Sequence, residues 1–153
     1  MTKKTDVLLL VEDDPNDILL FEKAIEKSLL PIELIVLRDG EKAISYLSGS
    51  GKFEDRKRYP LPNLILVDLK LPRKSGFDVI QWVKNHPELK IIPVIVLSSS
   101  NQAQDVNLAY GLGTNSYLVK PIGFNELSEL IEAFGRYWLS YNERPPKRLL
   151  PNG

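Results

Sequence analysis

Apolar runs alternate along the chain with stretches whose apolar residues recur at helical spacing. Five runs, at residues 7–11, 32–37, 64–67, 94–97 and 117–119, predict short strands. The first, third and fourth are almost wholly aliphatic, the pattern of strands covered on both faces. Ile18, Phe21, Ile25 and Leu29 repeat along one helix face, and Val79, Ile80 and Val83 form a shorter stripe. A third helical pattern runs from Asn101 through Ala109, and a fourth begins near Asn125 with Leu127, Leu130, Ile131 and Phe134. Strand–helix units repeated five times predict a doubly wound α/β domain around a parallel sheet, with right-handed crossovers. Two segments depart from a minimal version of this plan. Residues 48–62 form a long polar loop before the third strand, and residues 144–153 form a proline-rich tail expected to be mobile.

Composition narrows the function more than the fold. The chain has 153 residues, 43% of them hydrophobic and 26% charged, which suits one compact soluble domain. Lys+Arg and Asp+Glu both count 20, so no basic excess argues for nucleic-acid binding. Cysteine is absent, which excludes disulfides, thiolate zinc sites and cysteine nucleophiles together. The apolar run at 7–11 is too short for a signal-peptide core or a membrane span, so a cytoplasmic protein without membrane attachment is expected.

In open parallel sheets, ligands gather beyond the carboxyl ends of the strands. The first strand runs into Glu12, Asp13 and Asp14, and the third into Asp68. If these two strands are neighbours, the carboxylates converge. Clustered carboxylates repel, and a hard divalent cation such as Mg²⁺, which takes oxygen ligands, removes the conflict. Asp14 precedes Pro15 and reads instead as a helix N-cap. Asp68 is harder to dismiss as a surface residue, because a carboxylate closing a buried aliphatic strand needs a partner or a task.

The fourth strand ends at Ser98 and the fifth runs into Lys120 and Pro121, which brings a hydroxyl and an ammonium to the same edge. Such a pair facing an aspartate suits a phosphoryl group formed on that aspartate. Each residue alone has a plainer account: Lys120 as a structural ion pair, Ser98 as a helix-cap loop, Tyr117 as a strand aromatic. Their joint placement at four strand ends favours the pocket.

The segments LLLVEDDP (8–15), LILVDLKLPRKSG (64–76), PVIVLSS (93–99) and SYLVKP (116–121) resemble the receiver domain of two-component response regulators. The resemblance covers residues 6–136 and leaves 137–153 as a C-terminal helix extension and tail. It implies a flavodoxin-like sheet in the order 2-1-3-4-5, with an extended last helix. It also implies that Asp68 is the phospho-acceptor, served by a sensor histidine kinase, with Lys120 and Ser98 completing the phosphoryl site. Asp13 and Asp68 would hold Mg²⁺, with Glu12 contributing through water and Lys70 through its main-chain carbonyl. Ser98 and Tyr117 match the switch pair, and the Lys120–Pro121 peptide is expected to be cis. Glu12 stands where Asp is commoner. Lys70 sets a positive side chain beside the acceptor, and Gly113-Thr114 stands where Gly-Ala is common. The polar loop and the aromatic last helix are similar to small regulators paired with phytochrome-type kinases, a chemotaxis-type or other stand-alone regulator being the alternative.

Other signals are weaker. Gly49-Ser50-Gly51-Lys52 lacks the glycine and hydroxyl residue a phosphate-binding loop needs, since Tyr46 and Phe53 occupy those positions. His86, the one histidine, precedes Pro87 in a polar loop and reads as a surface residue, so the donor histidine belongs to a partner. Phe134, Tyr137, Trp138 and Tyr141 continue one apolar face past the end of a receiver core, and a homodimer through them is expected. Two rival functions remain. One is a binding module of the same fold that is never phosphorylated. The other is an aspartate-nucleophile phosphatase, disfavoured because the second carboxylate such enzymes place two residues on is here Lys70.

Overall fold

A computed structural model of the chain describes residues 5–145, arranged as five strands and five α-helices in strict alternation. The strands are β1 (Asp6–Val11), β2 (Ile32–Leu37), β3 (Leu64–Val67), β4 (Val94–Ser98) and β5 (Ser116–Val119). They form one parallel sheet in the order β2-β1-β3-β4-β5. The helices are α1 (Pro15–Ser28), α2 (Gly40–Ser48), α3 (Gly76–Asn85), α4 (Ala103–Leu112) and α5 (Phe124–Gly135). Every expected strand is present.

The aliphatic strands divide their residues between two cores by the two-residue period of a pleated sheet. Leu9, Val11, Ile65, Val67, Val94 and Val96 pack on one face with α2, α3 and α4, through Ala43, Leu47, Val79, Ile80, Val83 and Ala109. Leu8, Leu10, Leu64, Leu66, Ile95 and Leu97 pack on the other with α1 and α5, through Phe21, Ala24, Ile25, Leu127, Ile131 and Phe134. Covering both faces is what allows the run Leu64–Val67 to be buried at every position. Cutting one of the buried leucines or isoleucines among them to alanine costs about 2–5 kcal/mol.

Local chemistry sets the helix ends. Asp14 caps α1 as expected, its side chain accepting from Asn16 N and Asp17 N, with Pro15 in the first turn. Leu29, expected on the buried stripe, instead takes the left-handed C-cap position (φ 59°) and is 89% exposed, because α1 stops at Ser28. α2 is the element the apolar stripes do not announce. It spans 9 residues, buries Ala43, Tyr46 and Leu47, and ends at Gly49 in the left-handed conformation.

The polar loop after α2 is packed rather than open. Phe53, Tyr46 and Tyr59 form an aromatic cluster, and Tyr46 Oη donates to Pro60 O at 2.7 Å. The Arg56 guanidinium donates to the carbonyls of Tyr46, Leu47 and Tyr59, which satisfies the end of α2. Gly49-Ser50-Gly51-Lys52 forms that helix end and the start of a 3₁₀ turn, Gly51–Glu54.

After α5 the chain widens into a π-helical turn, Arg136–Tyr141. The extra residue per turn breaks the face on which the four C-terminal aromatics were expected to align. Phe134 is buried in the protein's own core and offers no surface to a second chain, while Trp138 packs half-buried beside it. Tyr137 and Tyr141 point outward, 53% and 75% exposed. An ion pair between Arg144 and Asp6 ties the following segment to β1. The tail from residue 146 onward lies outside the described residues.

Candidate functional site

β1 and β3 pair with Val11 opposite Val67, so the residues that follow them emerge side by side. Asp68 N donates to Val11 O at 3.0 Å, and Glu12 N to Leu37 O at 3.0 Å, which extends the ladder one step past the strands. On the other side, Lys120 N donates to Ser98 O at 2.8 Å. Sheet order alone therefore assembles Glu12, Asp13, Asp68, Ser98 and Lys120 at one edge. Gly76 keeps the loop after Asp68 close, since a Cβ at that position would lie 2.1 Å from Asp68 O.

Lys120 is the hub. Its ammonium has three donors, and they meet Glu12 Oε1 at 2.5 Å, Asp17 Oδ2 at 2.7 Å and Asp68 Oδ2 at 3.2 Å. Burial alone would lower the lysine's pKa, but the hydrogen bonds to Asp17 and Glu12 and the charge of Asp68 more than reverse that and raise it. The second Asp68 oxygen accepts from Leu69 N at 2.7 Å. Burial raises the Glu12 carboxyl to about 7, against the lowering by its Lys120 hydrogen bond, and Asp68's charge adds to the rise. One cation does not balance the negative charge collected here.

Glu12, Asp13 and Asp68 each offer a carboxylate oxygen, all within 4.8 Å of one another. A hard divalent cation takes oxygen ligands of this kind, so the residues present fit one. Lys70 follows two residues after Asp68 and its side chain is exposed. With Leu69, Ser98, Ser100 and Asp105, it lines an open cavity of about 480 Å³ at the carboxyl ends of β3 and β4.

The Ser98 hydroxyl is buried and accepts from Ser100 N at 3.1 Å. Tyr117 is half-buried against the core, and its Oη donates to Ser100 O at 2.8 Å. Ser100 Oγ in turn donates to Asp105 Oδ2 at 2.6 Å, so the loop after β4 is tied both to β5 and to the first turn of α4. Thr114 is buried, and its hydroxyl donates to Val94 O and Ser116 O, which satisfies the polar atom that alanine would lack.

Two expectations are corrected and one residue is added. Among the described residues no peptide bond is cis, so Lys120–Pro121 is trans, the lower-energy isomer of such a bond. Phe134, buried as described above, leaves the expected dimer surface. The addition is Asp17, a third carboxylate on Lys120, which an ordinary acidic residue in a first helical turn conceals. His86 lies away from the site, its ring 5.2 Å from that of Trp82.

The model of the response regulator receiver domain matches residues 8–132, so the chain belongs to the receiver family of response regulators, a family of signalling proteins. It is 41% identical over 133 residues to the response regulator Rcp1 of Synechocystis, covering 87% of this chain and 88% of that protein. Among solved structures it resembles the phosphorylated cyanobacterial phytochrome response regulator RcpA, with TM-score 0.87 and 36% identity over 94% of this chain and all of the other. It also resembles the Mn²⁺-bound form of Rcp1, with TM-score 0.83 and 39% identity over 92% of this chain and 99% of that one. Among the described residues no helix is long and apolar enough to cross a membrane.

Proposed function

We propose that this chain is a response regulator that accepts a phosphoryl group on Asp68 from a phytochrome-type histidine kinase. The observation that carries this reading is the Lys120 ammonium held between Glu12, Asp17 and Asp68 beside a carboxylate cluster. A carboxylate oxygen of Asp68 attacks the phosphorus of a phosphohistidine. The O–P bond forms as the N–P bond breaks, and the imidazole leaves. Asp68 is 9% exposed, so the donor reaches it from the open, carboxyl-end side of the sheet.

Glu12, Asp13 and Asp68, with the Lys70 carbonyl, would hold Mg²⁺, which when bound neutralises charge on the transferring group. Lys120 turns from its carboxylates towards a phosphoryl oxygen. The Ser98 hydroxyl, which accepts from Ser100 N, reorients to donate to another. Because Tyr117 and Ser100 share a hydrogen bond, movement at Ser98 is passed to β5 and α4, and a surface changes with the charge. The protein assists its own phosphorylation and dephosphorylation and is not otherwise an enzyme. It acts in the cytoplasm, without membrane or nucleic-acid contact.

Self-association belongs to the same reading, through Tyr137, Trp138 and Tyr141. Sedimentation should show a dimer that Tyr137→Ser with Tyr141→Ser disperses; a monomer throughout, with and without phosphorylation, removes this part. The main test is transfer from an autophosphorylated phytochrome-type kinase. Label should pass to the wild-type chain within minutes and not to Asp68→Ala. Transfer to neither protein, from a kinase that labels its own regulator, would favour a binding module that is never phosphorylated.

A further inference from the structure

Two helices of this fold begin with a polar cap and an aspartate three residues on, and use that aspartate differently. In α3 the cap Ser75 accepts from Asp78 N, and the Asp78 carboxylate reaches back to Ser75 N at 3.0 Å, closing a reciprocal capping box. In α1 the cap Asp14 likewise accepts from Asp17 N at 3.1 Å, three residues on. The return bond is not made by Asp17. Glu12 Oε2 takes the Asp14 N–H at 3.1 Å instead. That substitution releases the Asp17 carboxylate from its ordinary duty at the helix end. It extends across the pocket to Lys120 Nζ at 2.7 Å, nearer than the 3.2 Å between Lys120 and Asp68.

We propose that Asp17 is a positioning residue: from α1 it holds one donor of the Lys120 ammonium and restrains that ammonium from a phosphoryl group on Asp68. The proposal rests on the reading of Asp68 as the phospho-acceptor. Of the three carboxylates on Lys120, Glu12 and Asp68 belong to the cluster that fits a divalent cation, and Asp17 does not. When a cation draws on the other two, Asp17 keeps its hold. An oxygen of a phosphorylated Asp68 must then compete for the ammonium against a charged partner whose side chain is 39% exposed and which pays little to stay. Asp17→Asn keeps the shape and a hydrogen-bond acceptor but removes the charge, so Lys120 should lean towards Asp68. Asp17→Glu keeps the charge and should restore the restraint.

The equilibrium probe is beryllofluoride with Mg²⁺, which mimics a phosphoryl group on a carboxylate, titrated by calorimetry into the full chain. Asp17→Asn should bind it about threefold more tightly than wild type, the size expected of one part-exposed ion pair, and Asp17→Glu should bind it as wild type does. In the metal-free chain labelled with ¹⁵N-lysine, the Lys120 ammonium resonance should shift in Asp17→Asn and return in Asp17→Glu. A merely structural role at the start of α1 would move neither in this charge-dependent way. Unchanged or weaker binding in Asp17→Asn overturns the proposal while leaving the acceptor role of Asp68 intact. If the wild type shows no binding that depends on Asp68, the functional reading falls. The positioning role falls with it, whereas an unmoved Lys120 resonance in a chain that does bind overturns the positioning role alone.

Discussion

Lys120 and Lys84 are both drawn out of solvent at the margins of one sheet, yet their ammonium groups meet opposite surroundings. Lys120, past the carboxyl end of β5, faces three carboxylates. Lys84, near the end of α3, donates to two neutral carbonyls, Lys90 O at 3.0 Å and Ile92 O at 2.9 Å. Its stem fills the space beside Gly113, where a Cβ would lie 2.9 Å from Lys84 Cγ. Burial, with no anion to answer it, lowers Lys84 to about 8, whereas the anions around Lys120 overcome the same burial and raise it. Withdrawal from water by itself discourages a charged lysine. A lysine whose charge is strengthened by its pocket needs carboxylates around it, and the carboxyl edge of this sheet supplies three to Lys120.

The largest effect should come from Lys120→Met, which strands three carboxylates around an apolar side chain. A loss of about 3 kcal/mol in urea unfolding at neutral pH is expected, partly recovered by added Mg²⁺. A loss no greater than that of Lys84→Met would break the contrast between the two sites.

Lys84→Met should stay within about 1 kcal/mol of wild type at neutral pH, because two lost hydrogen bonds are offset by the removal of a poorly solvated charge. Its signature is in pH. The folded chain releases the Lys84 proton near 8, while the unfolded chain holds it to about 10.5. Between those values the unfolded state binds more protons, so wild-type stability rises relative to Lys84→Met as pH climbs through the window. Lys120 works in the other direction: its contribution is fully present below 10.5 and is lost only as pH rises through its still higher folded value. Thermal melts of both proteins from pH 7 to pH 10 would show a gap that widens in favour of wild type; a constant gap would mean that Lys84 is no less basic than a surface lysine.

The parts that could be read from the sequence are those governed by strand ends. A parallel sheet collects the residues after its strands, so Glu12, Asp13, Asp68, Ser98 and Lys120 were locatable as soon as the aliphatic runs were found. Asp17 was not, because its task depends on Glu12 taking the Asp14 N–H, a choice between two carboxylates that spacing does not reveal. Arg56 was hidden in a loop that reads as polar, although its guanidinium closes α2 from ten residues downstream. The C-terminal aromatics misled for a geometric reason: residues 134, 137, 138 and 141 share a face only while the turn stays α-helical, and at Arg136 it does not. Leu29 fits the stripe of α1 but falls one residue past the end of the helix.

The central claim is that the Asp68 carboxylate, and no other acidic side chain around Lys120, carries the phosphoryl group. Borohydride reduction of the freshly phosphorylated chain converts an aspartyl phosphate to homoserine, and tandem mass spectrometry of its peptides reads the position. Homoserine at position 68 alone is the predicted result. Reduction at Asp13, Asp14 or Asp17 with position 68 unmodified, or no reduced aspartate after transfer from an active kinase, would contradict it.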